Sequence, residues 1–208
     1  MKVLIITSTP NTDGLTARCT EAARQGVVDG GSRARVVNLN DLEIARCAVC
    51  NDDGWGSCRP THRCQVADGF QELHETIGKA EAYVWLTPVY FGAPSEPLKA
   101  LYDRLRRCEA TKGNTERERS LLVDKPTICV AAAGGSGRGA TRCLLEMEYW
   151  VRQVGATLVD AIPVTRRTAD YQTETIHDAV VALVNPPPVP PVEVSEPPTL
   201  RTRRRRRR

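Results

Sequence analysis

The sequence predicts one α/β domain, a doubly wound five-stranded parallel sheet with helices on both faces. Short apolar runs alternate with stretches of helical period through the first nine-tenths of the chain. The runs are apolar almost throughout, as strands buried on both faces require, and parallel strands need helical crossovers to connect them. Beyond Val184 both the periodicity and the composition change abruptly. The predicted domain is therefore 1–184, followed by a tail at 185–208.

The elements follow in order. "KVLIITS", from Lys2 to Ser8, is a buried strand ending in small polar residues. Leu15, Cys19, Ala22, Ala23 and Val27 recur at helical spacing, and Gly30 and Gly31 stop that helix. "RARVVNL" is the second strand. A cysteine-rich segment precedes "GFQELHETIGKA", a helix with Phe70, Leu73 and Ile77 on one face. "AYVWLTPVY" is the third strand, with Pro88 at its exit. Ser95 caps a helix that turns Leu98, Leu101, Tyr102 and Leu105 inward. "PTICVAAA" is the fourth strand, and a glycine loop leads from it into a helix through Leu144, Met147, Val151 and Val154. "ATLVDAIPV" is the fifth strand; Ile176, Ala179, Val180 and Leu183 mark the last helix.

Composition excludes several classes. No run approaches the ~18–20 apolar residues of a membrane span. The start has no small-residue cleavage site, so no signal peptide is expected and the chain reads as cytoplasmic. The formal charge is +4, but 185–208 holds seven Arg and two Glu, a balance of +5, which leaves −1 for the rest. The folded part therefore gives no reason to expect nucleic acid as a partner. The tail, with seven prolines, is expected to be disordered. Its arginine run reads as a non-functional end before it reads as an anion tether.

Three loops follow strand carboxyl ends, where ligands bind in such sheets. "TSTPNTDGLTAR" is rich in hydroxyls and opens a helix whose amides and dipole suit a phosphate, with Ser8, Asn11 and Thr16 as side-chain donors; it lacks the G-K-[ST] of a Walker loop. "TPVYFGAPSEPLKALYDR" offers aromatic surface at Tyr90 and Phe91, and Gly92 admits a planar ligand close to the backbone. "AAAGGSGRGATR" carries Gly135-x-Gly137-x-x-Ala140 with Asp160 in the next strand, which meets the dinucleotide fingerprint on paper. Too little chain follows to build a conventional nicotinamide-binding sheet from it, so its glycines are read as sharing the ligand of the first two loops.

Together the three loops, the cysteine segment "CAVCNDDGWGSCRPTHRCQVADGF" and above all "TPVYFGAPSEPLKALYDR" resemble the flavodoxin-like NAD(P)H-dependent FMN oxidoreductases, the group that includes FMN reductases and iron–sulfur flavoproteins. The resemblance implies a flavodoxin-like fold with FMN at the carboxyl edge of the sheet. Ser8, Asn11, Gly14, Leu15 and Thr16 would hold its phosphate. Pro88, Val89, Tyr90, Phe91 and Gly92 would line the isoalloxazine, and Gly134, Gly135 and Gly137 would border the ring's other side. The first loop lacks the basic residue that members often carry there, which shifts the phosphate's charge onto backbone dipoles. No catalytic acid or base is implied, because the flavin takes the hydride from a nicotinamide nucleotide. The resemblance also implies NAD(P)H as donor, a small acceptor such as a quinone, a flavin or another electrophile, and a homodimer or higher homo-oligomer. Arg104 and Arg138 are candidates for the nucleotide's phosphates, although solvated surface positions are the stronger reading of both.

The segment from Cys47 to Cys64 has the spacing C-x2-C-x7-C-x5-C. Cys47, Cys50, Cys58 and Cys64 are candidate ligands of a [4Fe–4S] cluster, as the resemblance to iron–sulfur flavoproteins implies, although the spacer after Cys50 is longer than the compact cluster motif. Zinc is a second reading, weakened by the absence of a second short pair. Thiols without metal, or a redox pair, are the third. An electron-transferring iron–sulfur flavoprotein and a non-enzymatic flavin- or redox-sensing protein are the corresponding alternatives in function. Cys19, Cys108, Cys129 and Cys143 fall in helix or strand patterns and read as small buried hydrophobes. His62 reads as a solvated loop histidine.

Overall fold

The computed structural model describes residues 1–51, 56–113 and 118–187. The expected disorder at 188–208 lies outside the described residues.

Five parallel strands form the sheet: β1 (Lys2–Thr7), β2 (Arg33–Asn38), β3 (Ala82–Tyr90), β5 (Pro126–Ala133) and β6 (Thr157–Thr165), in the order β2-β1-β3-β5-β6. A two-residue strand, β4 (Ala93–Pro94), folds back antiparallel on the end of β3 and has no counterpart in the sequence pattern. The helices are α1 (Leu15–Asp29), the single turn α2 (Cys58–Thr61), α3 (Phe70–Lys79), α4 (Glu96–Cys108), α5 (Ala140–Gln153) and α6 (Ala169–Val184). Every expected strand and helix is present, with ends moved by a residue or two. Leu39, expected to finish β2, instead opens a short 3₁₀ turn that Asn38 caps through its side chain.

Strand alternation divides the core into two layers, because successive side chains point to opposite faces. Val3, Ile5, Val84, Leu86, Ile128 and Val130 face α1 and α6. Leu4, Ile6, Tyr83, Trp85, Cys129 and Ala131 face α3, α4 and α5. The central strand β3 is buried from Ala82 to Pro88, which explains its lack of polar alternation. Pro88 does not break the strand: it stays in register opposite Ala132 of β5. Cys19, Cys108, Cys129 and Cys143 are fully buried, in keeping with their reading as small hydrophobes.

The order reverses between β1 and β3. β1 leads outward to β2, while β3 leads to β5 and β6 on the other side. The order places the loops that follow β1, β3 and β5 side by side at the strands' carboxyl ends, where ligands bind in such sheets.

Candidate functional site

The first loop is tied from below. Ser8 N donates to Leu86 O at 3.3 Å, and the side-chain amides of Asn38 and Asn40 both donate to Thr9 O, at 3.1 and 3.0 Å. Thr9 Oγ1 donates to Asn11 O at 2.8 Å. Helix α1 then starts at Leu15 behind an extended Gly14, with no side-chain cap and no acidic residue in its first turn. A helix start of this kind leaves amides for an anion. Asn11 is exposed, Gly14 and Leu15 are half-buried and Thr16 is buried.

Ser8 is 1% exposed, and its hydroxyl is engaged beneath the loop. Ser95 Oγ donates to Ser8 Oγ at 2.7 Å, Ser8 Oγ lies 3.3 Å from Thr87 Oγ1, and Ser95 N donates to Thr87 Oγ1 at 3.0 Å. Three buried hydroxyls thus lock the ends of β1 and β3 to the start of α4. Ser95 is the N-cap residue of that helix, as expected, but its hydroxyl joins this network and makes no cap bond. Thr87 and Ser95 are positioning residues that sequence reasoning missed. The signal at Thr87 was a hydroxyl inside an otherwise apolar buried run; at Ser95 it was masked by the cap reading.

The second loop is a two-residue hairpin. Tyr90 pairs with Ala93, and Phe91 and Gly92 between them have φ of 53° and 78°. Two consecutive left-handed residues make the turn that matches strand twist, a conformation unfavourable for a bulky residue such as phenylalanine. Phe91 is nonetheless there, with its ring wholly in solvent, and Tyr90 is half exposed. Such backbone strain is the kind that clusters at ligand sites.

The third loop approaches the hairpin closely. A Cβ on Gly139 would stand 2.7 Å from the Cα of Gly92, and Gly139 has φ of 86°, so only glycine fits. Gly139 falls on an unspecified position of the dinucleotide fingerprint, which gives no hint of this constraint. A Cβ added to Gly134 or Gly135 would meet nothing within 4 Å, so both border open space. Between hairpin and loop lies a cleft of about 480 Å³, walled by Val89, Phe91, Gly92, Ala133, Gly135 and Gly137, with Arg138 and Arg142 at its side. Asp160 does not belong to it. That residue pairs with Ile128, well down the strand from the glycine turn, and lies exposed on the edge strand. The dinucleotide fingerprint is therefore a coincidence of spacing.

These features fit FMN in shape and chemistry: an uncapped helix start for its phosphate, an exposed aromatic hairpin for its ring, and glycines whose missing side chains leave room beside it. Asn11, Gly14, Leu15 and Thr16, the hairpin from Pro88 to Gly92, and Gly134, Gly135 and Gly137 lie on the same sheet edge, whereas the Ser8 hydroxyl is turned into the network below and is not open to a phosphate.

The cysteine segment packs beside α4. Cys47, Cys50, Cys58 and Cys64 line one cavity of about 10 Å³ together with Val66, Arg104 and Arg107. That volume admits about one water at most. Among the described residues no three His, Cys, Asp or Glu side chains are arranged to hold a metal ion. On that ground the cluster and zinc readings of Cys47, Cys50, Cys58 and Cys64 are not supported, although the four thiols do line one cavity. Spacer residues 52–55 lie outside the described residues. No disulfide links any of the eight cysteines.

The organiser of this segment is Arg104, whose side chain is fully buried. It forms an ion pair with Asp68 at 2.5 Å, donates to Ala45 O and Val66 O, stacks over the Phe70 ring at 4.2 Å, and donates through Nη2 to Cys64 Sγ at 3.2 Å. Neither expected role for Arg104 survives, because it is far from solvent and does not line the glycine cleft. Burial pushes the Asp68 carboxyl up, but hydrogen bonds from Arg104 and from the amides of Ala45 and Phe70 outweigh it and hold the group below its ordinary value. Burial, and then the neighbouring Cys64, raise the Cys58 thiol. His62 is half-buried in a left-handed conformation, and its Nδ1 has no hydrogen-bond partner. Arg138 is exposed at the cleft, as expected.

A model of the family described as NADPH-dependent FMN reductase matches residues 1–169. An iron–sulfur flavoprotein of Archaeoglobus fulgidus is 32% identical over 81% of this chain and 78% of its own length. Another, from Methanocaldococcus jannaschii, is 30% identical over 51% of this chain, and the match spans only 52% of that relative. Among solved structures, an NAD(P)H:quinone oxidoreductase from Methanothermobacter marburgensis superposes with a TM-score of 0.64 at 16% identity, covering 88% of this chain and 96% of that one. That likeness is one of fold.

Proposed function

The chain belongs to the NADPH-dependent FMN reductase family, and from that premise we propose that it is an FMN-dependent oxidoreductase taking electrons from NAD(P)H and passing them to a small acceptor such as a quinone, a flavin or another electrophile. The observation that carries this reading is the cleft between a strained aromatic hairpin and a side-chain-free glycine loop, on the same sheet edge as the uncapped start of α1.

FMN bound there supplies hydride acceptance and donation at its ring. The chain's own residues position and shield. Gly14, Leu15 and Thr16 present backbone amides to the phosphate, with Asn11 beside them. The Ser8–Thr87–Ser95 network fixes the floor between phosphate and ring. Val89, Tyr90, Phe91 and Gly92 offer a flat edge, and Gly134, Gly135 and Gly137 leave the opposite border bare. Arg138 and Arg142 are the cations nearest the cleft for the anionic part of the nucleotide. No side chain of the cleft is assigned a proton-transfer role.

A second copy of the chain fits the same reading. Leu145 and Tyr149 of α5 are 60% and 67% exposed beside a groove between α4 and α5 that Arg142 also borders. Closure of a homodimer over that groove would cover apolar surface next to the cleft. No helix among the described residues is long and apolar enough to cross a membrane.

The test is anaerobic. The purified protein is expected to take up one FMN per chain and to lose the flavin band near ~450 nm on addition of NADPH or NADH, then to regain it with a quinone. A protein that cannot be loaded with FMN overturns the reading. A loaded protein that neither nucleotide reduces points to a flavin-binding sensor instead.

A further inference from the structure

The turn that follows β6 brings two arginines to the side of the glycine cleft, next to Arg138. We propose that Arg138, Arg166 and Arg167 form a phosphomonoester site there, so that the cleft favours a reactant bearing such a group: NADPH over NADH as donor, or FMN over riboflavin as acceptor. The inference deepens the flavin reading and rests on it for the identity of the reactants.

Two contacts gather the three arginines. Ala133, which walls the cleft, is the register partner of Thr165 at the end of β6. Neighbouring strands lie about 4.8 Å apart, so the turn after β6 stands one strand spacing from the cleft. The glycine loop also leans on that turn: a Cβ on Gly137 would meet the Thr165 side chain at 3.2 Å. The residues that follow at this point of contact are Arg138 on one side and Arg166 on the other.

The turn itself is fixed. Thr168 N donates to Thr165 O at 3.1 Å, and Thr165 N donates to Thr168 Oγ1 at 2.9 Å. Arg166 and Arg167 are its two central residues, and both are exposed, as is Arg138. The backbone is thus held while the long side chains are left to reach a ligand.

Nearby acids are already engaged. Asp170, in the first turn of α6, pairs with Arg18 at 2.9 Å, and Glu146 faces Arg142 at 3.8 Å. Among the described residues, no ion pair engages Arg138, Arg166 or Arg167. Like charges without an acid between them repel one another, and a bound dianion relieves that repulsion. A phosphomonoester is close to a dianion at neutral pH, and its three oxygens suit the forked guanidinium donors. The pyrophosphate common to NADH and NADPH has no such dianionic end, so discrimination falls on the additional phosphate.

Titration calorimetry compares NADP⁺ with NAD⁺ on the purified protein, with and without FMN. Steady-state assays of the loaded protein compare FMN with riboflavin as acceptor. A preference of at least ~tenfold for the phosphorylated member is expected in one of the two pairs, and the pair that shows it identifies the reactant. Arg166→Ser/Arg167→Ser should abolish that preference, and Arg138→Ser should reduce it. An NADP⁺ preference should also shrink as pH falls through about 6, where the phosphate takes up a proton. Arg35→Ser, on β2 at the far edge of the sheet, should change nothing. No preference in either pair, or an equal loss in Arg35→Ser, overturns the proposal. So does loss of FMN loading in the double variant, which would assign the arginines to the prosthetic group. A protein that takes up no FMN but keeps an arginine-dependent NADP⁺ preference upholds the site and sinks the flavin reading. An FMN-loaded protein without either preference does the reverse.

Discussion

The glycine cleft and the cysteine pocket lie on the same molecule but are built from opposite materials. The cleft is made of backbone: left-handed turns at Phe91, Gly92, Gly137 and Gly139, an uncapped helix start, and glycines that leave space. Its few side-chain contacts lie beneath it, among buried hydroxyls. The cysteine pocket is made of side chains gathered around a buried cation, Arg104, which touches Asp68, Phe70, Cys64 and two carbonyls. The difference has a consequence for mutation. A backbone site fails when a Cβ is added, and a side-chain site fails when a charge is removed.

The largest effect should come from Arg104→Met. Removing the guanidinium takes from Asp68 its cationic partner and from Ala45 O and Val66 O a donor, and losing one member of a buried pair costs about 3–5 kcal/mol. Asp68 keeps some contact with solvent, so about 3 kcal/mol is expected in urea denaturation. Proteolysis should open the chain first between Arg46 and Asp68, while FMN loading of the surviving fold is retained. Equal loss of flavin affinity would show that the two regions are one unit.

Glycine substitutions address the other region and separate space from strain. Gly139→Ala puts a Cβ against the Gly92 backbone in a left-handed conformation, and should cost about 2 kcal/mol together with at least ~tenfold in FMN affinity. Gly134→Ala meets nothing within 4 Å and has no left-handed backbone to strain. Its stability should stay within about 0.5 kcal/mol of the parent while FMN affinity falls. Calorimetry and flavin titration of both variants check this. Unchanged affinity in Gly134→Ala would remove the third loop from the flavin's border.

How much of this was legible in the sequence follows from the same contrast. Strand and helix positions were readable because hydrophobic periodicity reports burial directly, and β3 announced itself by apolarity from Ala82 to Leu86. The three loops were readable because glycine, proline and hydroxyl residues mark turns whatever the tertiary fold. The role of Arg104 was not readable. An arginine in "LYDRLRRC" looks like a solvated helix residue, and nothing local says that Asp68, 36 positions earlier, will meet it inside the protein. The same holds for Ser8, Thr87 and Ser95, whose partnership spans 87 positions.

The smallest expected effect tests whether the cleft's first loop depends on its outer bracing. Helix α1, which begins at that loop, packs on α6 through buried apolar residues such as Val27 and Val180, and exposed ion pairs brace the outside: Arg18 with Asp170 at 2.9 Å, and His177 Nε2 with Asp29 at 2.9 Å, while His177 Nδ1 meets Asp178. Hydrogen bonds to Asp178 and then to Asp29 raise the His177 pKa above its ordinary 6.5. A raised histidine pKa stabilises the fold fully below the unfolded value, and that contribution disappears as pH rises through the folded one. Hydrogen bonds from His177 and then Gln25 lower the Asp29 pKa, so its contribution is present above the unfolded carboxyl value and lost as pH falls through the folded one. The pair therefore acts in the window between the two. The melting temperature of the parent should exceed that of His177→Ala by most at about pH 5–6, and the gap should close toward about pH 8–9. Because the loop is held by backbone and by Asn38 and Asn40 rather than by these pins, FMN affinity should not change across the series. A gap that is flat with pH would remove the histidine's charge from the account. An affinity that tracks the gap would show the cleft to depend on side chains after all.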